Sequence, residues 1–200
     1  MKILHTSDLH FNTLWFDWIA KQQESYDIFI ISGDFLDSSK EESLVEQIAL
    51  VTDWIKAFKK PLFVCSGNHD IEEFDNEEWL NRIDTENYYP DNFKKVINGI
   101  KFGCYPYIGA EGYYDFDDVD VLITHVPPAY TDVAIDADTS VDWGDDELYN
   151  ALVQKTVNPN IILCGHMHTP KARECVLNGC RIYNAADGIG DKPYFHSINL

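Results

Sequence analysis

The sequence predicts an α/β protein in which two β-sheets pack face to face with helices outside, and three observations carry that prediction. Short β-branched apolar runs recur along the chain: Ile3-Leu4, Ile28 to Ile31, Leu62 to Cys65, Val119 to Ile123 and Ile161 to Cys164. Helix-period stretches separate the early runs, while the hairpin signals Asn98-Gly99 and Asn178-Gly179 fall in the second half. With 45% hydrophobic and 14% aromatic residues, the 200 residues can bury a core as one domain spanning 1–200.

Each element has its own signal. Ile3 to Ser7 reads as a first strand, and Leu14, Trp15, Trp18 and Ile19 give Leu14 to Lys21 a helical stripe. Ile28 to Ile31 is continuously apolar, as in a strand covered on both faces. Ser38-Ser39 is expected to cap a helix with Glu41 and Glu42 in its first turn, its stripe running Leu44, Ile48, Val51, Ile55 and Phe58 before Lys59-Lys60-Pro61 closes it. Leu62 to Cys65 is a third strand and Glu77 to Ile83 a short helix. Asn98-Gly99 turns a hairpin between Val96-Ile97 and Ile100-Lys101. Tyr105 to Asp118 reads as loop and Val119 to Thr124 as strand, before a long polar, acidic stretch from Pro127 to Gly144. Loops of that length are more often functional than idle. Asp145 caps a helix carrying Leu148, Leu152 and Val153 that stops at Asn158-Pro159, and Tyr194 to Ile198 forms a last strand.

Charge and cysteines narrow the classes of function. A formal charge of -19 repels nucleic acids and anionic membranes, since affinity for polyanions rests on Lys and Arg displacing counterions. Nucleic acid is therefore not expected as a partner. Much of the acid, including Glu41, Glu42, Asp115, Asp117 and Asp118, reads as solvated surface. No window approaches the roughly 20 apolar residues of a membrane span, and the N-terminus lacks a signal-peptide pattern. The five cysteines include no C-x-x-C, which argues against a disulfide framework. A turn at Asn178-Gly179 pairs Leu177 with Cys180 and Cys175 with Ile182. The two cysteines then lie diagonal, about 7–8 Å apart, and read as packing residues. A reducing, cytoplasmic setting fits. Nothing in the chain reports its oligomeric state.

The functional signal lies at the end of each apolar run. Asp8-Leu9-His10 stands after the first, Gly33-Asp34 after the second, Gly67-Asn68-His69-Asp70 after the third, His125 after the fourth and Gly165-His166-Met167-His168 after the fifth. Aligned strands in α/β sheets place ligands beyond their carboxyl ends. Together Asp8, His10, Asp34, Asn68, His125, His166 and His168 offer nitrogen and oxygen donors and no thiolate. That is more than one ion of four to six ligands requires, and it suits two ions about 3.5–4 Å apart sharing a carboxylate. The mixture of imidazole and carboxylate favours Mn, Fe, Zn, Co or Ni over Ca or Mg alone, with Mn the first choice in vitro. His5 and His196 match no ligand position and read as structural, though His196 could line the site. Asp70 either supports a ligand from behind or shapes its turn.

D-x-H, G-D-x-x-D, G-N-H-D, a lone strand-end His and G-H-x-H in this order resemble the calcineurin-like metallophosphoesterase family, over residues 8–168. The resemblance implies a four-layer α/β/β/α sandwich of two mixed β-sheets flanked by helices. It also implies Asp8, His10 and His168 on one metal, Asn68, His125 and His166 on the other, and Asp34 bridging. Such a pair lowers the pKa of a bridging water from about 15.7 toward about 7, giving a hydroxide that attacks phosphorus in line. His69, beside ligand Asn68, is the expected general acid for the leaving alkoxide. By resemblance, Asp37 orients His69.

Departures refine the class. Ser38 stands where the family's protein Ser/Thr phosphatases carry Arg, and Asp70 where they carry Glu, which argues against a phosphoprotein phosphatase. Ile3 to His10 resembles double-strand-break repair nucleases, but those carry additional DNA-binding segments after the core, which are not expected after Leu200 here, and the large negative charge does not suit DNA. His125-Val126-Pro127-Pro128 and Cys164 to His168 look more like compact stand-alone phosphoesterases. The expected activity is hydrolysis of a small phosphodiester or phosphomonoester. An aromatic lip of Tyr105, Tyr107, Tyr113, Tyr114, Tyr130 and Trp143 suggests a nucleotide-like substrate. The rival readings are a nuclease of the same family and a non-catalytic interaction module with the same fold.

Overall fold

The computed structural model describes residues 1–71, 79–108 and 112–200. Its first sheet runs β13-β1-β2-β3-β4, formed by β1 (Lys2–Thr6), β2 (Ile28–Ser32), β3 (Leu62–Cys65), β4 (Tyr88–Tyr89) and β13 (His196–Asn199). β1 to β4 are parallel, and β13 closes the edge antiparallel to β1. The second sheet runs β5-β6-β7-β8-β10-β9, from β5 (Lys94–Ile97), β6 (Ile100–Cys104), β7 (Val121–Ile123), β8 (Ile161–Cys164), β9 (Glu174–Leu177) and β10 (Cys180–Asn184). Its centre is parallel and its two edges are antiparallel hairpins. A small ribbon pairs β11 (Gly188–Ile189) with β12 (Lys192–Pro193).

Alternation along the buried strands distributes side chains into three apolar layers. Ile28, Ile30, Phe63 and Cys65 of one sheet meet Phe102, Val121, Ile123, Ile161 and Leu163 of the other, forming the layer between the sheets. The opposite faces of β2 and β3, with Phe29, Ile31 and Val64, are covered by α1 (Thr13–Lys21) and α2 (Leu44–Ala57). Leu122, Ile162 and Ile182 are covered by α3 (Asp146–Gln154) through Leu148 and Leu152. This is the expected four-layer sandwich. Both outer faces of the central strands are apolar because each is roofed, the physical reason their runs show no alternation.

Several local expectations are met in detail. The Asn178-Gly179 hairpin pairs Leu177 with Cys180 and Cys175 with Ile182, and all five cysteines are free. Asn98-Gly99 joins Ile97 to Ile100, with both turn residues at positive φ. Asp145 caps α3, accepting from the backbone N–H groups of Glu147 and Leu148.

Others are corrected. α2 starts later than its predicted Ser38-Ser39 cap, because Ser43 and Glu46 form a reciprocal capping box that satisfies the first-turn N–H groups, and residues 38–43 stay outside the helix. Val153 is 45% exposed, so the stripe of α3 is Leu148 and Leu152 alone, and the helix ends at Gln154 through Lys155 in the left-handed conformation. The short helix expected over Glu77 to Ile83 falls partly outside the described residues; its described end, Trp79–Arg82, is a 3-10 turn. β4 carried no strand signal, and the last strand begins at His196 rather than Tyr194. Among the described residues, no helix is long and apolar enough to cross a membrane.

Candidate metal centre

Seven side chains reach one region from the carboxyl ends of β1, β2, β3, β7 and β8. Around Asp8, the Nε2 of His168 lies 3.0 Å from Oδ1 and the Nε2 of His10 3.9 Å from it; the two imidazole nitrogens are 3.2 Å apart. Around Asn68, Oδ1 lies 3.1 Å from Nε2 of His125 and 3.0 Å from Nδ1 of His166, and these nitrogens are 3.2 Å apart. Asp34 stands between the two groups, its Oδ2 3.3 Å from His125 Nε2 and 4.0 Å from His10 Nε2. Donor atoms held about 2.0–2.2 Å from one ion stand about 3.0–3.5 Å from each other. All the spacings within the two triads match that figure except the longer one from His10 to Asp8. His10, Asp34 and His69 also bring ligand atoms within 4.8 Å of one another.

The backbone is bent to make this possible. Asp8, His10, Asp34 and His166 all have positive φ, between 42° and 68°. Non-glycine residues rarely adopt that region, and clustered strain of this kind marks functional sites. Two motif glycines are needed for space rather than φ: a Cβ on Gly67 would collide with the Asp34 carboxylate, and one on Gly165 with Ser7 Oγ and the Asp8 carboxylate. The glycines before Asn68 and His166 therefore let two ligand loops touch the Asp34 and Asp8 loops directly.

Buried partners fix the donors. The Nδ1–H of His125 donates to the Ser32 carbonyl at 2.8 Å, which turns Nε2 toward Asn68 and Asp34. Asp8 Oδ2 accepts the His166 backbone N–H at 3.0 Å, and Asp34 Oδ1 accepts that of His69 at 2.9 Å. Asp70 is buried and accepts the N–H groups of Asp34, Phe35, Leu36 and Gly67, so it shapes the turn and supports Asp34 at once. Burial and the Asp34 charge push its carboxyl up, to about 8, against those four donors.

The electrostatics ask for positive charge. Burial disfavours ionised Asp8, yet the hydrogen bond from His168 and the charge of His125 hold its carboxyl well below the usual range. Burial should lower His125 too, but the charge and hydrogen bond of Asp34 outweigh it and carry the imidazole up to about 10. Two almost fully buried carboxylates are thus held ionised by the imidazoles beside them. A nitrogen and oxygen donor set of this geometry suits a divalent transition metal.

The remaining predicted residues divide. The His69 ring packs edge-on against His10, centroids 4.8 Å apart, and lines the same cavity. The Asp37 carboxylate instead accepts from the Ser39 N–H and Oγ and pairs with Lys40 at 3.4 Å. Among the described residues it makes no bond to His69, so the orienting role is not carried by this geometry; the i+2 and i+3 partners are simply closer. His5 and His196 stack away from the triads, with His5 Nε2 on Ser32 Oγ and His196 Nε2 on the Asn184 carbonyl. Of the aromatic lip, Tyr105 and Tyr113 stack on each other at 3.9 Å and belong to the core beneath α3. Tyr107 lies edge-on to His125, and Trp143 lines the cavity.

Sequence reasoning missed Asn184 and Arg173. Asn184, fully buried at the end of β10, donates from Nδ2 to the carbonyls of Val133, Gly165 and Met167, while Arg173 donates to the His168 carbonyl at 2.8 Å. Asn184 ends a strand as the metal-ligand motifs do, but that strand, Cys180–Asn184, includes the exposed Arg181 and lacks their continuous apolar run, so neither Asn184 nor Arg173 had a clear signal.

Fold and donor set together define a two-sheet α/β protein built to hold metal. The sequence model of the calcineurin-like phosphoesterase family matches residues 1–170, and the chain belongs to that family, whose members are binuclear metal-dependent phosphoesterases. One crystal structure superposes with a TM-score of 0.69 at 14% identity, over 92% of this chain and 90% of that one. TT1561 of Thermus thermophilus gives 0.68 at 11% identity, over 93% and 89%. An archaeal phosphodiesterase gives 0.53 at 17% identity, over 100% of both chains. At these identities the likeness is one of fold. No curated protein matches the sequence.

Proposed function

We propose that the chain is a binuclear metal-dependent phosphoesterase acting on a small phosphodiester or phosphomonoester. The observation that supports this most is the pair of donor triads on either side of Asp34, each with its two imidazole nitrogens 3.2 Å apart. Two divalent ions, when bound, supply Lewis acidity and an activated water for attack at phosphorus. Asp8, His10 and His168 would hold one ion, Asn68, His125 and His166 the other, and Asp34 would face both. Mn, Fe, Zn, Co and Ni all suit the donors, and Mn is the choice for assays.

The chain's own groups do the rest. The Ser32 carbonyl keeps the proton of His125 on Nδ1, so Nε2 points inward as a donor. His69, in the cavity beside His10, is positioned to give a proton to the leaving oxygen. Asp37 holds the loop after Asp34 through Ser39 and Lys40. Five free cysteines suit a reducing cytoplasm, and a charge of -19 disfavours nucleic acid as substrate.

Hydrolysis of p-nitrophenyl phosphate and bis(p-nitrophenyl) phosphate by Mn-loaded protein, abolished by chelation and restored by Mn, is the expected result. A metal-loaded protein that hydrolyses no small ester contradicts the reading. Cleavage of single- or double-stranded DNA at rates above those of small esters moves it to the nuclease class.

A further inference from the structure

The geometry points to Trp143 as the residue that selects the substrate, by stacking a flat aromatic group, such as a nucleobase, of an ester that carries a single phosphate. This inference rests on the phosphoesterase reading and deepens it. The cavity beside the triads measures about 380 Å³ and is lined by Asp34, His69, His166, Met167 and Trp143 among others. That volume falls in the range of small-molecule sites. Trp143 is 55% exposed, so its indole seals no core, unlike Tyr105 and Tyr113.

The indole is mounted on a braced loop. The Trp143 backbone N–H donates to the Ala134 carbonyl at 3.1 Å, and the preceding Asp142 carboxylate accepts the N–H groups of Tyr130 and Gly144. The same loop is tied to the segment after His168: Thr169 Oγ donates to Asp136 Oδ2, the Ala137 N–H to the Thr169 carbonyl, and the Lys171 N–H to the Ile135 carbonyl. The backbone that carries Trp143 is thus tied to the metal-binding loop, which lowers the ordering cost of the loop when a ring stacks on the indole. Met167, also in the cavity wall, adds a polarizable apolar surface.

Charge limits the rest of the substrate. Among the described residues lining this cavity there is no lysine or arginine, and Asp136 contributes a carboxylate. A phosphoryl group can be neutralised at the triads, but a second or third phosphate finds no lysine or arginine among the described lining residues. Singly phosphorylated esters are therefore preferred over di- and triphosphates.

Calorimetric titration of the Mn-loaded His69→Ala variant, in which alkyl esters turn over slowly, with adenosine 5′-monophosphate, ribose 5-phosphate and adenosine 5′-diphosphate tests this by binding, with the Trp143 variants made in the same background. The monophosphate should bind at least about 5-fold tighter than ribose 5-phosphate, the low end of what base–aromatic stacking contributes. The diphosphate should bind no tighter than the monophosphate. Trp143→Ala should erase the preference for the base while keeping its metals, and Trp143→Phe should restore most of it. Equal binding of the monophosphate and ribose 5-phosphate, failure of all three to bind, or a Trp143→Ala variant that retains the preference, would overturn the inference. Those results leave the phosphoesterase reading intact if p-nitrophenyl esters are still hydrolysed; loss of hydrolysis by wild-type protein defeats that reading instead.

Discussion

His10 and His168 are 158 positions apart in the chain, yet their Nε2 atoms lie 3.2 Å apart, both turned toward Asp8. Two imidazole lone pairs at this distance repel unless a proton or a cation lies between them. The same relationship recurs between His125 and His166, also at 3.2 Å. Two such pairs on either side of one carboxylate are what a two-ion centre requires of its protein.

Asp34 lies between the pairs, so Asp34→Asn should reduce the binding of both ions rather than one. Elemental analysis of protein purified without chelator checks this. Retention of both ions would contradict a shared position.

His69→Ala should keep both ions and slow alkyl esters far more than p-nitrophenyl esters, by up to about 10²–10⁴-fold. Its ring also lies near His10 and Asp34 in ligand-like geometry. Loss of one metal equivalent in this variant would reassign His69 from proton donor to ligand, and equal slowing of both ester types would remove the general-acid role.

The position of each ligand motif was legible in the sequence because every motif ends a strand, and strand ends in such sheets converge. The hairpin at Asn178-Gly179 was legible to the register, since its turn chemistry fixes the pairing of Cys175 with Ile182. What was not legible is set by long-range contacts. Asp37 was assigned to His69, but its nearer partners Ser39 and Lys40 take its carboxylate. Tyr105 and Tyr113 stack inward because α3 offers them a core, which no local pattern reports. The left-handed backbone at Asp8, His10, Asp34 and His166 likewise is set by tertiary restraint, on residue types that tolerate it but do not specify it.

Gly165 lies against Ser7 and Asp8, and a methyl group there has no room. Gly165→Ala should displace Asp8 and lower the thermal midpoint, with a cost of about 1–3 kcal/mol as for other overpacked sites. Metal content should fall toward one ion, through the triad of Asp8. A variant with unchanged midpoint and unchanged metal content would show that these loops are not in contact.

The acidic loop should loosen in acid. Asp136 accepts from Thr169 Oγ, the Thr139 N–H and Oγ, and the Asp138 N–H, which hold its carboxyl down at about 2. A carboxyl with a lowered folded-state pKa stabilises fully above its unfolded value of about 3.9 and loses that contribution as pH falls toward about 2. Thermal midpoints of wild type and Asp136→Asn, measured from pH 6 to pH 2, should differ most at pH 6 and converge in that acid window. A constant difference across the window would contradict the assignment.

The central claim is that these strand ends hold two neighbouring cations, and anomalous diffraction from crystals grown with Mn tests it most directly. The account predicts two peaks about 3.5–4 Å apart, one among Asp8, His10 and His168 and one among Asn68, His125 and His166, with Asp34 touching both. A single peak, or peaks away from Asp34, would contradict it.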